Sequence, residues 1–85
     1  MSSEDPTPTK ERMAELEAKA EAAYAAMYDA PSWNEKDLKD DALMYLAQAE
    51  AIARSLGLAN DAARLKARTE NIMGVYNSQF RTTGR

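Results

Sequence analysis

Apolar residues recur every three or four positions along most of the chain, the spacing that places them on one side of an α-helix. The first set of such residues is Met13, Leu16, Ala20, Tyr24 and Met27. Thr7 followed by Pro8 suits a helix start, and Pro31 disfavours helical geometry in the residue before it. We therefore predict a first helix over about residues 8–30. The segment ahead of it, residues 1–7, is rich in small, acidic and proline residues and is predicted to be a disordered tail.

A second periodic segment begins after Pro31 and ends at a glycine. Ser32 and Glu35 have the spacing of a capping box, in which the serine accepts a hydrogen bond from the third amide and the glutamate reaches back. Gly57 followed by Leu58 is typical of a Schellman C-cap. These signals predict a second helix over about residues 33–56. Its expected core-facing residues are Leu38, Ala42, Tyr45, Ala49, Ile52 and Leu56.

A third periodic segment follows a short connection. Asn60 is expected to cap a helix over about residues 61–80, and residues 82–85 are expected to fray. The residues expected to face or flank the core are Leu65, Thr69, Ile72 and Tyr76, with Ala62, Met73 and Phe80 beside them. Because no segment alternates with period two and the connections are short, we predict an all-α fold. Its architecture is an antiparallel up-down-up three-helix bundle over residues 8–81.

The second predicted helix has apolar residues on the side turned away from its expected core. They are Leu43, Met44, Ala47 and Ala51. A surface helix is normally polar there. In one interpretation the helix is central, or its alanines serve only helix propensity. In the other, the residues contact a second chain, most simply in a two-fold homodimer, which would also compensate for an alanine-rich core.

Two further residues join this candidate surface. Trp33, the only tryptophan, lies in the first turn of the second predicted helix. It either packs over the end of the bundle or anchors a partner, as exposed tryptophans often do. Val75 lies off the centre of the third apolar stripe, toward Arg64 and Arg68, and is included as a candidate contact.

The charge is unevenly distributed along the chain. Residues 1–56 contain 12 acidic and 6 basic residues, a net charge of −6, and residues 57–85 contain 2 acidic and 5 basic residues, a net charge of +3. The acidic residues 1–56 and the basic third helix can attract each other within the fold. The alternative is a nucleic-acid-associated regulator that uses a basic face formed by Arg64, Arg68 and Arg81.

The chain offers little for catalysis or metal binding. It has no cysteine and no histidine, which removes the thiolate nucleophile and the commonest general base and metal ligand. The acidic residues at the start of the second helix lack the glycine and spacing of a calcium loop and are interleaved with lysines. They are Glu35, Asp37, Asp40 and Asp41. We therefore expect no enzyme, no catalytic residue, no metal and no cofactor. No signal peptide or membrane-spanning stretch is evident, and we expect a cytoplasmic location.

Residues 42–57, ALMYLAQAEAIARSLG, resemble the second helix of a tetratricopeptide repeat. Its small and large positions are matched by Ala42, Leu46, Ala49 and Gly57. In the following helix Met73 and Gly74 precede Tyr76, which comes one residue earlier than the tyrosine of the repeat. The tryptophan-to-leucine start and a second copy are absent. The resemblance covers about residues 42–76 and implies a scaffold that holds a peptide or another helical protein.

Together these patterns predict a small helical protein–protein interaction module that self-associates as a homodimer or binds another helical protein. Contact with nucleic acid is the alternative function.

Overall fold

The computed structural model describes residues 8–80, except for the side chains at positions 32, 33, 79 and 80. Within this range the chain forms α1 (Lys10–Met27), α2 (Ser32–Ser55) and α3 (Ala59–Val75), followed by a π-helical turn (Tyr76–Phe80). The described residues contain no strand, which confirms the all-α three-helix bundle. The predicted tail at residues 1–7 and the predicted frayed end at residues 82–85 lie outside the described residues, as does Arg81.

Helix α1 begins later and ends earlier than predicted. Its N-cap is Thr9, whose hydroxyl accepts a hydrogen bond of 3.0 Å from the backbone N–H of Arg12. Pro8 therefore precedes the helix, and the predicted cap at Thr7 lies outside the described residues. The helix ends at Met27, short of the predicted end near residue 30.

The caps predicted for α2 and α3 are wrong in register. The backbone N–H of Asn34 donates to the carbonyl of Pro31 at 2.9 Å, so Pro31 holds the N-cap position and Ser32 is already helical. Helix α3 begins at Ala59, with Leu58 as its N-cap, because the α2–α3 connection leads directly into the next helix. Asn60 thus lies inside the first turn and does not cap it.

The end of α2 is a Schellman motif, as predicted. The backbone N–H of Leu58 donates to the carbonyl of Ala53 at 2.8 Å, and that of Gly57 donates to Arg54 at 3.1 Å. Gly57 has φ of +74°, a left-handed conformation that glycine adopts without steric cost. The side chain of Leu58 packs against the hydrophobic core. These bonds fix the reversal that brings α3 back along α2.

Helix α2 is the central element, because it packs along both α1 and α3. One buried cluster joins all three helices: Met13, Leu16, Ala20, Leu46, Ala49, Ala53, Leu65 and Ile72. Met27 and Ala42 are also fully buried. The inward stripes predicted for α1 and α3 are therefore largely confirmed, although Met73 is 45% exposed.

The inward face of α2 is rotated from the predicted one. Its buried line is Ala42, Leu46, Ala49 and Ala53. Tyr45 and Ile52 are half-buried on its flank, and Leu56 is exposed at the C-cap. Because α2 contacts both other helices, its apolar arc is wide, and Tyr45 and Ile52 lie at an edge of that arc rather than at its centre.

Candidate interaction surface

The side of α2 opposite its buried line carries three exposed apolar residues: Met44, Ala47 and Ala51. We refer to these three residues as the α2 outer face. At about 100° per residue they fall on one side of the helix, away from both α1 and α3. The side chain of Met44 is 45% exposed. The α2 outer face is thus a short apolar surface with no partner among the described residues.

The structure separates the other predicted members of the surface from these three. Leu43 is half-buried and packs against the core cluster. Val75 is half-buried, and its register on α3 places it on the flank that carries Arg64 and Arg68. The side chain of Trp33 is not described. The candidate surface is therefore smaller than the predicted one and lies on α2 alone.

Opposite charges lie at the two ends of the α2 outer face. Near its start, the carboxylate of Asp40 accepts from the ammonium groups of Lys36 at 2.8 Å and Lys39 at 2.9 Å. These lysines hold the pKa of Asp40 below its usual range, and Asp40 in turn raises the pKa of Lys36. Near its end, the guanidinium of Arg54 is paired with Glu50. The side chains of Asp40 and Arg54 are 47% and 64% exposed, so both remain accessible to a second molecule.

The basic residues of α3 face α1 instead of solvent. Arg64 is paired with Glu17 of α1 and with Asp61 of its own helix, the latter at 3.2 Å. Arg68 donates two hydrogen bonds of 2.7 Å to the carboxylate of Glu21, a bidentate pair. We refer to Glu17, Glu21, Tyr24, Arg64 and Arg68 as the α1–α3 seam.

Aromatic contacts complete the α1–α3 seam. The guanidinium of Arg68 lies 4.9 Å from the ring centre of Tyr24, and it also donates to the side-chain oxygen of Asn71 at 2.7 Å. Tyr24 and Tyr28 meet edge to face with their hydroxyls 3.0 Å apart, and this hydrogen bond raises the pKa of Tyr24. Arg68 lowers the pKa of Glu21, and Glu21 raises that of Arg68. Two of the three residues of the predicted basic face are thus already neutralised, and the third, Arg81, lies outside the described residues.

Reasoning from the sequence missed the pairing in this seam, although the sequence contains its signal. Glu17 and Glu21 are four residues apart on the first helix, and Arg64 and Arg68 are four residues apart on the third. In an up-down-up bundle the first and third helices run parallel, so two such doublets pair in register. Each pair is separated by the same 47 positions along the chain.

An open cavity of about 450 Å³ lies beside the α2–α3 connection. It is lined by Leu58, Ala59, Ala62 and Ala63 together with Arg54, Gly57 and Lys66. Three of the residues that line it on α3 are alanines, whose side chains are small. The cavity adjoins the end of α2 at which Arg54 lies.

The described residues contain no group of three or more acidic side chains placed to hold a metal ion. Asp40, one of the four acidic residues near the start of α2, is instead paired with lysines. Among residues 8–80, no helix has the length and apolar character needed to cross a bilayer. No protein-family model, curated protein or solved structure matches this chain.

Proposed function

We propose that this protein is a small helical interaction module that self-associates through the α2 outer face and acts by contact rather than by catalysis. The observation that carries the proposal is the exposure of Met44 beside two exposed alanines, Ala47 and Ala51, on the side of α2 opposite its buried line. A contiguous exposed apolar patch on a small domain favours association, because covering it removes apolar area from water.

The other exposed large apolar residues are less suited to this role. Met73 lies between exposed Glu70 on α3 and exposed Asn77 in the π-helical turn. Tyr28 engages its hydroxyl with Tyr24, and Leu56 lies at the C-cap of α2. Neither Met73 nor Leu56 has further exposed apolar residues at helical spacing on its own helix, whereas Met44 has Ala47 and Ala51.

The size of the surface sets the expected affinity. One helix against one helix buries less than the roughly 1,200–2,000 Å² of a stable protein–protein interface. We therefore expect a weak dimer, with a dissociation constant on the order of 10–100 μM, which corresponds to about 5.5–7 kcal/mol. Such a dimer forms and separates with concentration.

Sedimentation equilibrium over a wide concentration range tests the proposal with two matched variants. Met44 and Met73 are both methionines with 45% exposure, one on the α2 outer face and one on α3. Met44→Lys is expected to abolish the dimer and leave the helical circular-dichroism signal intact, because a lysine in an apolar contact loses hydration without gaining a partner. Met73→Lys is expected to leave the dimer unchanged.

A protein that sediments as a monomer up to millimolar concentration would refute self-association. A dimer that survives Met44→Lys but is lost in Met73→Lys would place the interface on α3. In either case the α2 outer face would not be the interaction surface.

Three related predictions belong to this proposal. The absence of catalysis rests on the lack of cysteine and histidine in the sequence, and a cytoplasmic location stays a prediction. The tetratricopeptide resemblance of residues 42–76 stays a prediction and favours a helical partner. The nucleic-acid alternative loses support, since Arg64 and Arg68 have carboxylate partners on α1.

A further inference from the structure

We infer that two copies of this chain pair antiparallel along α2, with the two-fold axis passing between Ala47 and Gln48. This inference rests on the proposed self-association and adds its geometry: which residues of the two copies meet, and in which direction the two helices run. It follows from the order of charged, apolar and small residues on the outer side of α2.

The apolar residues define the register. In an antiparallel pair centred between positions 47 and 48, Met44 of each copy lies opposite Ala51 of the other. Ala47 approaches its own counterpart near the axis. A large side chain then faces a small one on both sides of the axis, which lets the helices approach closely without a void.

The charged residues support the same register. In antiparallel helices, residues on the same flank face each other across the interface. Asp40 and Arg54 lie on the same flank of α2, and at this register each lies within one residue of the position opposite the other in the second copy. Each is already paired within its own chain, Asp40 with Lys36 and Lys39 and Arg54 with Glu50, so the contact between copies joins existing ion pairs into a network. Both side chains are about half exposed or more, and the resulting ion pair occurs twice by symmetry.

A polar pair at the centre fits as well. Gln48 is exposed on the opposite flank from Ala47, close to the two-fold axis. In the antiparallel dimer the two Gln48 amides lie side by side, where each can donate to and accept from the other. Their position favours one register over neighbouring ones, as a polar residue within a helical interface does.

A parallel pair is disfavoured by the same residues. It would place Asp37 and Asp40 of one copy next to the same acidic residues of the other, since a parallel two-fold axis brings each residue against itself. The two helix dipoles would also be aligned in the unfavourable sense. The antiparallel pair separates the two acidic ends by about 20 Å along the axis, at 1.5 Å per residue.

Single-cysteine crosslinking of the full chain tests the register directly, because the protein has no native cysteine. Ala47→Cys lies near the axis and is expected to form a disulfide-linked dimer on mild oxidation. Ala51→Cys is expected to remain uncrosslinked, since its counterpart would lie about 10 Å along the axis, beyond the reach of a disulfide. An equimolar mixture of Met44→Cys and Ala51→Cys is expected to give the mixed disulfide preferentially.

The possible outcomes distinguish the antiparallel geometry from self-association itself. Efficient crosslinking of Met44→Cys and Ala51→Cys each to itself would show a parallel dimer, which overturns the inference and leaves self-association standing. A wild-type protein that sediments as a monomer, with no crosslinking of any variant above that of an exposed Met73→Cys control, would overturn both.

Charge reversal is an independent test of the register that needs no cysteine substitution. Asp40→Arg and Arg54→Glu are each expected to raise the dissociation constant about tenfold, because two attractive contacts become repulsive. The double variant restores opposite charges across the interface and is expected to return to within about twofold of wild type. A double variant that is weaker than either single variant would contradict the pairing of Asp40 with Arg54.

Discussion

The basic face of α3, of which Arg64 and Arg68 lie in the α1–α3 seam, and the outer side of α2 are the two regions that the sequence predicted as candidate binding surfaces. In the seam, arginines that could have met a polyanion are held by Glu17 and Glu21. On the α2 outer face, Met44 and its neighbouring alanines have no partner among the described residues. What separates the two regions is therefore that the arginines of the seam have carboxylate partners on α1, whereas the apolar residues of the α2 outer face stay exposed.

The two regions also differ in which interactions can be satisfied by a short chain. A charged side chain needs only one counterpart at hydrogen-bonding distance, and a parallel helix supplies it. An apolar face is stabilised only when another surface buries its area. The apolar faces of α1 and α3 already pack against the inward side of α2. The outer side of α2 lies opposite the line that packs against these helices, and its apolar residues stay exposed.

The largest expected effect on the free energy of unfolding comes from comparing substitutions on the two sides of α2. Leu46 is completely buried and Met44 lies on the α2 outer face two residues earlier. Leu46→Ala is expected to lower the free energy of unfolding by about 3 kcal/mol, through lost burial and a cavity. Met44→Ala is expected to change it by less than about 0.5 kcal/mol. Urea unfolding followed by circular dichroism, at concentrations where the protein is monomeric, measures both.

Comparable losses in the two variants would mean that Met44 is packed within the monomer. The distinction between an inward and an outward side of α2 would then fail, and with it the basis for a contact there. If Leu46→Ala does not fold, Leu46→Met, which conserves volume, provides the comparison at an expected cost below about 1.5 kcal/mol.

The sequence predicted the helices and their order well, because these depend on local signals. The repeat of apolar residues marked three segments, and Gly57 followed by Leu58 marked the Schellman motif. The core-facing residues of α1 were also largely predicted from the sequence, since α1 packs mainly against one neighbouring helix. Helix caps were less reliable: Thr9, Pro31 and Leu58 hold the N-cap positions, where the sequence pattern favoured Thr7, Ser32 and Asn60.

The orientation of α2 was predicted less well, for a physical reason. Periodicity gives the width of an apolar arc, but only the positions of the neighbouring helices determine its centre. The predicted inward stripe of α2 included Tyr45 and Ile52, whereas the buried line in the structure is centred on Leu46 and Ala53. The contacts of Arg64 and Arg68 likewise depend on the tertiary register of α1 against α3.

A substitution in the α1–α3 seam is expected to have an intermediate effect on the free energy of unfolding. Arg68→Ala removes a bidentate pair with Glu21 and the contact with the ring of Tyr24, and it is expected to cost about 1–2 kcal/mol of unfolding free energy. Lys66→Ala is the matched control: it lies on the same helix, is exposed, and has no ion pair within the described residues. Its expected cost is below about 0.5 kcal/mol. Equal effects in thermal unfolding would show that the seam contributes no more than a surface charge.

The smallest effect concerns the pH dependence of the seam. Hydrogen bonds from Arg68 lower the pKa of Glu21 in the folded protein. A carboxylate whose pKa is lower when folded adds stability that is fully present above its unfolded value, about 4.3, and that disappears as the pH falls through the folded value. Because Glu21 is partly exposed, we expect its contribution to stay below about 1 kcal/mol.

Glu21→Gln is therefore expected to be less stable than wild type at pH 7, and the difference is expected to shrink as the pH falls below about 4. The reason is that glutamine cannot lose or gain the proton, so only the wild type loses the ionic part of the bond to Arg68. Glu70→Gln, at an exposed glutamate with no ion pair within residues 8–80, is expected to show no such convergence. Chemical unfolding at several pH values measures the difference for each variant. A gap between wild type and Glu21→Gln that stays constant from pH 7 to pH 3 would mean that Glu21 holds Arg68 by shape and hydrogen bonding alone, and that its charge contributes nothing to joining α1 and α3.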